Sequence, residues 1–148
     1  MVQRVSRASV DVDGVVVGSI QAGFLLFVGI EPSDTEVDIS RAVEKVVNLR
    51  VFPDEAGQMN LSLLETGGSA LVVSQFTLLG DVRKGRRPSF VGAAPPEQAE
   101  PMVDRFVDVL RANGIHVETG VFGASMDVEL INSGPVTMAL EIRAGRVR

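Results

Sequence analysis

Two short polar stretches contain the residues best suited to chemistry. Ser74-Gln75-Phe76-Thr77 ends an apolar run, and Asn132-Ser133-Gly134-Pro135 interrupts an alternating pattern near the end of the chain. Polar groups at these places indicate a site that faces a ligand, because apolar residues would stabilise a sheet at less cost. The chain has no cysteine, one histidine (His116) and no carboxylate–histidine cluster at metal-ligand spacing. If the protein is an enzyme, we therefore expect it to work without metal, organic cofactor or the usual nucleophile and base.

The first stretch offers backbone donors to a reacting ester. We expect one strand from Ala70 to Leu79, with Ser74 and Phe76 on one face and Gln75 and Thr77 on the other. Backbone amides near its end would then form an oxyanion site, in which one well-placed donor stabilises a transition state by ~3 kcal/mol. The alternative is an edge strand whose Ser and Thr side chains face water.

The second stretch offers rigid backbone acceptors. We expect two strands around a turn, and the functional form of this turn would hold the Gly134-Pro135 peptide bond in the cis form that only X-Pro bonds adopt at low cost. Its consecutive carbonyls would clamp an α-ammonium group, and its stiff backbone would reject one enantiomer sterically. The alternative is an ordinary turn.

The sequence offers less support for other kinds of catalytic or binding site. A catalytic triad would have to combine Ser74 or Ser89 with His116, which follows the second predicted helix and is expected to be exposed. Asp11, Asp13 and Asp81 fall in turns or at strand ends, as solvated carboxylates do. No phosphate-binding glycine motif occurs.

Charge limits the partners of the protein. A formal net charge of −5 argues against bulk electrostatic binding of nucleic acid, and we expect no DNA partner. The densest basic run, Arg83-Lys84-Gly85-Arg86-Arg87, is either a solvated loop or a local contact for a polynucleotide. The longest apolar run is too short to span a membrane, and the first residues lack a signal-peptide pattern. We expect one cytoplasmic domain covering residues 1–148.

Hydrophobic patterns predict the elements that position these stretches. Alternating valines around Asp13-Gly14 predict a β-hairpin, and the apolar run Gly23–Ile30 predicts a central strand covered on both faces. Helical spacing predicts one helix over 34–48 and a second that begins at Pro95-Pro96 or at Pro101. The sum favours an α/β fold, a three-layer β/β/α sandwich with a mostly antiparallel or mixed sheet and two main helices.

Both polar stretches resemble signature motifs of a known family. Ser74-Gln75-Phe76-Thr77-Leu78 and Asn132-Ser133-Gly134-Pro135-Val136-Thr137 are similar to the two motifs of the D-aminoacyl-tRNA deacylases, also called D-tyrosyl-tRNA deacylases. The likeness extends to Arg4–Val10, to Gly57–Asn60 and to Arg86–Phe90. It covers essentially the whole chain. Two positions depart from the family pattern, which often has Asp in place of Ser133 and Arg in place of Val121.

The resemblance implies a homodimer that hydrolyses D-aminoacyl-tRNA, and also glycyl-tRNA, at active sites between the subunits. The Gly134-Pro135 peptide of one subunit would enter the pocket of the other and exclude L-aminoacyl groups, with Asn132 and Thr137 beside it and Arg7 supporting the turn. The stretch from Ser74 through Thr77 would line the catalytic pocket. The basic residues that would contact tRNA are Arg83, Lys84, Arg86 and Arg87.

The resemblance leaves the nucleophile open. Thr77 is one candidate, and the alternative is a water molecule assisted by the 2′-hydroxyl of the RNA. We favour the water, because no nearby residue in the sequence is suited to deprotonate a threonine. Two rival functions also stay open: a non-catalytic dimeric β-module that binds RNA ends or a small amino-acid-like ligand, and a serine hydrolase.

Overall fold

The computed structural model describes residues 1–148 and contains ten strands, three α-helices and one 3-10 turn. The strands are β1 Val2–Val12, β2 Val15–Ile20, β3 Gly23–Val28, β4 Phe52–Pro53, β5 Met59–Leu61, β6 Ser69–Ser74, β7 Val117–Thr119, β8 Asp127–Met138, β9 Ile142–Arg143 and β10 Arg146–Val147. The helices are α1 Glu36–Val47, α2 Leu63–Thr66 and α3 Pro96–Ala112, and the 3-10 turn is Phe76–Leu79.

The predicted hairpin joins β1 to β2 through Asp13-Gly14. Both residues have positive φ angles, 53° and 82°, which is the geometry that matches the twist of the flanking strands. The Asp11 carboxylate accepts a 2.7 Å hydrogen bond from the Gly14 amide. Asp11 and Asp13 therefore serve the turn, as their positions in the sequence indicated.

The main sheet is mixed, and β1 is its organising strand. β1 pairs antiparallel with β3 through its first residues, with β2 through its last residues and with β8 along its other edge. β3, β6 and β7 run parallel to one another. The resulting order is β2-β1-β3-β6-β7 with β8 attached to β1, so β8 has no second neighbour.

The sheet curls into a nearly closed barrel. A Cβ atom placed on Gly18 of β2 would lie 2.5 Å from the Thr119 carbonyl oxygen of β7, so the two edges touch where glycine leaves room. The barrel interior is filled by seven buried residues, among them Leu25 and Leu71. The opposite face of the same strands, including Phe24, packs with the helices in a core of 19 buried residues.

The central strand therefore buries both faces, as its continuous apolar sequence predicted. Phe24 and Leu26 face the helices, and Leu25 faces the barrel interior. The helix layer, the strands beneath it and the strands that fold across the interior make three layers. The predicted α/β class, with a mixed sheet and two long helices, is confirmed.

Both long helices lie close to their predicted positions. α1 begins after Thr35, whose hydroxyl and backbone amide both donate to the Asp38 carboxylate. α3 begins at Pro96 and continues through Pro101, so Pro101 does not start the helix. A proline there removes only the bond to the exposed Glu97 carbonyl in the first turns. No helix has the length and apolarity needed to cross a bilayer.

Candidate active site

The first motif lies where a strand becomes a 3-10 turn. β6 ends at Ser74, Gln75 donates its amide to the Val28 carbonyl at 2.7 Å, and the turn occupies Phe76–Leu79. The prediction of a strand through Thr77, with faces alternating to the end, was wrong. β6 loses its partner there because β3 also ends at Val28, so the chain turns instead.

This turn exposes donors rather than a nucleophile–base pair. The Gln75 side-chain amide donates to the Thr77 hydroxyl oxygen, which therefore acts as an acceptor and keeps its own proton free to donate. Phe76 and Thr77 start the 3-10 turn, so their N–H groups have no carbonyl acceptor within it. Thr77 and Phe76 are exposed, and no carboxylate or imidazole bonds to either side chain.

An apolar cavity of about 390 Å³ opens beside the motif. Ser74, Gln75 and Phe76 form one side of it, and the start of α3 forms another. The rings of Phe76 and Phe90 meet edge to face, with centroids 5.0 Å apart. The full lining is Val28, Ile30, Ser74, Gln75, Phe76, Phe90, Ala93, Ala94, Pro95, Pro96, Ala99, Val103, Phe122 and Gly123. Such a cavity suits a flat apolar group with its polar edge toward Ser74 and Gln75.

The second motif is a bulge within one strand, not a turn between two. Asn132 opposes Val5, and Thr137 opposes Gln3, so the intervening residues 133–136 leave the β1–β8 ladder. The chain keeps its direction, because both flanks pair antiparallel with the same strand. The Gly134-Pro135 peptide bond is cis, as the resemblance to the deacylase family implied, and both residues are exposed.

Arg4, rather than Arg7, supports this bulge. The Arg4 side chain donates from Nε to the Ser133 carbonyl at 2.8 Å, and its Nη1 group donates to the Val51 carbonyl. Arg7 is exposed and pairs with Glu129 at 3.2 Å. Within one protomer Arg7 does not contact the bulge, because the bulge lies opposite the first residues of β1 and Arg7 pairs farther along, at Ile131; the role that the resemblance implies for Arg7 stays a prediction.

Within one chain the two motifs form separate surfaces. No residue of 132–137 lines the cavity beside Ser74. A larger cavity of about 630 Å³, between α1, the end of β3 and residues 139–143, also excludes both the bulge and Ser74. One protomer therefore does not bring Gly134-Pro135 to the pocket that Phe76 borders.

The basic run forms a closed, exposed loop next to the cavity. Asp81 and Ser89 exchange two backbone hydrogen bonds at its base, one residue before cavity-lining Phe90. Arg83 is held by Asp81 through two side-chain bonds of 2.9 and 2.7 Å, which lower the pKa of the Asp81 carboxyl. The remaining three cations are exposed and form no ion pair: Lys84, Arg86 and Arg87.

The only histidine is remote from this site. His116 is exposed, its ring contacts Glu118 at 3.1 Å, and it lines neither cavity. Ser89 belongs to the base of the basic loop. These positions do not bring a serine and a histidine together.

Sequence reasoning missed several residues of the site. Arg4 could be separated from Arg7 only through the register of β1 against β8, which the sequence pattern does not give. Phe122 lines the cavity from a turn between Gly120 and Gly123. The sequence feature that could have indicated this role is an aromatic residue within a glycine-rich segment. The tight Gly120 position, where a Cβ would lie 2.5 Å from the Met126 sulfur, holds that turn against the barrel.

The fold and site define an α/β protein with an apolar ligand cavity bordered by hydroxyl, amide and backbone groups. The sequence model of the D-Tyr-tRNA(Tyr) deacylase family matches residues 1–141. The chain belongs to this family, as the resemblance predicted.

Individual relatives agree with this assignment. A D-aminoacyl-tRNA deacylase of Thermomicrobium roseum is 60% identical, over 98% of this chain and 96% of the relative. A D-aminoacyl-tRNA deacylase of Kosmotoga olearia is 57% identical, over 97% and 96%. A solved structure titled c-Myc DNA Unwinding Element Binding Protein superposes with a TM-score of 0.90 at 42% identity, covering 97% of each chain. A probable eukaryotic D-amino acid tRNA deacylase, at 20% identity and a TM-score of 0.79, shares the fold over 90% of this chain and 93% of its own.

Proposed function

We propose that the protein hydrolyses the ester bond of D-aminoacyl-tRNA and releases a free D-amino acid and tRNA. The observation that carries this proposal is that the Ser74–Phe76 motif of a chain from this family borders an apolar cavity of about 390 Å³, which is large enough for a nucleoside. Relatives at 57–60% identity bear the name of this activity. We further propose that the chain acts as one domain in the cytoplasm.

The cavity would hold the terminal adenosine of the tRNA. Phe76, Phe90 and Phe122 supply the apolar walls for a base, and base stacking on aromatic rings tolerates the absence of further polar contacts. An adenosine in this place brings its aminoacylated ribose toward the 3-10 turn. The scissile carbonyl would then lie near the free N–H groups of Phe76 and Thr77.

In this arrangement no protein side chain has to act as nucleophile or base for hydrolysis. Water attacks the ester carbonyl carbon, the bond to the ribose oxygen breaks, and that oxygen takes the proton that the water loses. The 2′-hydroxyl of the RNA assists the proton transfer, and the turn amides stabilise the developing oxyanion. Thr77 donates a hydrogen bond instead of attacking, since its oxygen accepts from Gln75 and no base contacts it.

Stereochemical selection would come from the bulge of a second protomer. Gly134 and Pro135 are exposed and lie outside the cavity of their own chain, so a complete site requires a partner subunit to deliver them. Stiff backbone beside the α-carbon would leave room for hydrogen on one side only. A D-side chain and glycine fit this arrangement, and an L-side chain collides with it.

The basic loop would grip the acceptor end. Lys84, Arg86 and Arg87 are free to contact phosphates, and Arg83 is occupied by Asp81 and shapes the loop. The base of the loop directly precedes Phe90, which lines the cavity, and this proximity supports a contact between the loop and the acceptor end. A few local contacts suffice for an acidic protein that recognises only the end of its RNA. We propose no DNA partner, since the chain carries a formal net charge of −5 and this small loop is its densest basic run.

A deacylation assay tests the proposal. Purified protein is incubated with radiolabelled D-Tyr-tRNA, L-Tyr-tRNA or glycyl-tRNA, and free amino acid is measured over time. We expect release of D-tyrosine and glycine, and intact L-Tyr-tRNA. Binding of D-Tyr-tRNA without release would instead support the non-catalytic β-module. Covalent labelling by a serine-reactive phosphonate would support a serine hydrolase, and we expect none.

A further inference from the structure

The bulge in β8 has lost the hydrogen-bond partners that a strand normally provides. Residues 133–136 lie between two positions that pair with β1, Asn132 opposite Val5 and Thr137 opposite Gln3. Backbone outside a ladder adopts many conformations unless other groups hold it. Arg4 holds the Ser133 carbonyl at the start of this segment. Its far end needs a second support.

The Asn132 side chain provides that support by spanning the bulge. Its Oδ1 atom accepts from the Val136 amide at 2.7 Å, and its Nδ2 group approaches the Val136 carbonyl at 3.3 Å. Nδ2 also donates to the Thr137 hydroxyl oxygen at 2.8 Å. The carboxamide thus replaces the missing strand partner of Val136, and it closes a ring that contains Ser133, Gly134 and Pro135.

A third side chain fixes this carboxamide in one orientation. The Thr137 hydroxyl oxygen accepts from Gln3 Nε2 at 3.2 Å as well as from Asn132. Rotating the Asn132 amide by half a turn would place its oxygen against the Val136 carbonyl and its nitrogen against the Val136 amide. That orientation loses both contacts with Val136 and leaves the amide only a bond from the Thr137 hydroxyl, so the network favours the arrangement in which Oδ1 faces the Val136 amide.

We infer that Asn132, oriented through Thr137 by Gln3, is a positioning residue that sets the selectivity of the site between D- and L-aminoacyl esters. It acts on the substrate only through the backbone of Gly134 and Pro135. This inference rests on the proposed function. Its consequence is that loosening Asn132 widens the space beside the α-carbon, and L-aminoacyl groups gain more access than D-aminoacyl groups lose.

The test compares selectivity, not activity alone. Values of kcat/KM for D-Tyr-tRNA and L-Tyr-tRNA are measured for the natural protein and for Asn132→Ala, Asn132→Asp and Gln3→Ala. Asn132→Ala removes all three bonds, and we expect the D-to-L ratio to fall by about tenfold or more. Asn132→Asp keeps an acceptor for the Val136 amide and should lose less. Gln3→Ala removes only the orienting bond, and the ratio should fall by about threefold or less.

A matched control lies inside the same bulge. The Ser133 side chain is exposed and forms no hydrogen bond, so Ser133→Ala should leave the ratio unchanged. General destabilisation would lower both kcat/KM values together and leave their ratio intact. An unchanged ratio in well-folded Asn132→Ala would overturn the inference, as would an equal fall in Ser133→Ala.

A second measurement does not depend on the proposed function. Hydrogen exchange of the Val136 amide reports directly on its bond to Asn132 Oδ1. We expect faster exchange in Asn132→Ala and an unchanged rate in Ser133→Ala. Unchanged exchange at Val136 in Asn132→Ala would refute the positioning role even if the enzyme were active. Absence of D-Tyr-tRNA hydrolysis by the natural protein would instead refute the proposed function.

Discussion

The guanidinium of Arg4 joins the Ser133 carbonyl of β8 to the Val51 carbonyl that precedes β4. Its Nη2 atom also lies 2.9 Å from where a Cβ on Gly134 would stand. Arg4 is half-buried and thus fixes the bulge against two parts of the fold at once. Arg7 lies three residues further along β1 and is also an arginine, but it contacts neither of these two carbonyls.

Replacing Arg4 should impair selectivity and activity, and replacing Arg7 should not. Lysine at position 4 has a single ammonium and cannot bond both carbonyls in the fixed geometry of a guanidinium. We expect Arg4→Lys to lower kcat/KM for D-Tyr-tRNA by about tenfold. Arg7→Lys alters only an exposed pair with Glu129, so its kcat/KM should stay near that of the natural protein. The reverse pattern would restore the assignment to Arg7.

Removing the Thr77 hydroxyl should cost one hydrogen bond rather than the reaction. We expect Thr77→Ala to lower kcat for D-Tyr-tRNA by about tenfold or less, because water and the RNA hydroxyl carry the chemistry. Single-turnover kinetics separate this effect from substrate binding. A loss of several orders of magnitude, or a trapped acyl-enzyme, would establish Thr77 as the nucleophile.

The basic loop should contribute affinity for tRNA without affecting chemistry. Replacing Lys84, Arg86 or Arg87 by alanine should raise KM for D-Tyr-tRNA and leave kcat unchanged. Each lost phosphate contact should lower the dependence of log affinity on log salt by about one unit. Lys45→Ala, an exposed cation on α1, serves as the charge-matched control. Equal salt dependence in the loop variants and the control would exclude the loop from the RNA interface.

Acid should detach the C-terminal hairpin formed by β9 and β10 from α1. The buried Asp38 carboxylate accepts from the Gly145 amide at 2.8 Å, and this bond, together with those from Thr35, holds the pKa of Asp38 below its ordinary value of 3.8. A lowered folded pKa means that this stabilisation is complete above the ordinary value and is lost as pH falls through the folded value.

Asp38→Asn measures this contribution. Its amide nitrogen would face either the Gly145 or the Thr35 donor, so the free energy of unfolding should fall by about 1–3 kcal/mol at neutral pH. The difference between the two proteins should shrink as pH falls below 3.8 and through the lowered pKa of folded Asp38, where the natural carboxylate takes up its proton. Urea titrations from neutral to acidic pH test this prediction. If the difference in the free energy of unfolding between the two proteins did not depend on pH, the charge of Asp38 would not be its cause.

Local patterns predicted much of the fold. The Asp13-Gly14 hairpin, the doubly buried strand around Leu25 and the two long helices each follow from spacing or turn chemistry within a short window. The short helix α2 was not predicted, although Ser62 and Glu65 form a capping box that the sequence displays.

The pairing and register of strands that are distant in the sequence could not be predicted. The end of β6 at Ser74 depends on the end of β3 at Val28, and the bulge at Gly134 depends on how β8 registers with β1. Register also decides that Arg4 and not Arg7 reaches Ser133. These are tertiary relationships, and residue types within either strand alone do not encode them.

Subunit mixing tests most directly whether the site is assembled from two chains. Gly134→Val puts a branched side chain on the backbone that would lie beside the substrate α-carbon, so it should block the D-aminoacyl group as well as distort the bulge, where an added Cβ would lie 2.8 Å from Val136 Cγ2. Ala93→Trp fills the cavity that Phe76 borders. Each variant alone should fail to hydrolyse D-Tyr-tRNA. After unfolding and refolding together in equal amounts, half of the dimers are mixed and each mixed dimer holds one intact site, so about a quarter of the natural activity should return. No recovery in verified mixed dimers would contradict a site shared between protomers.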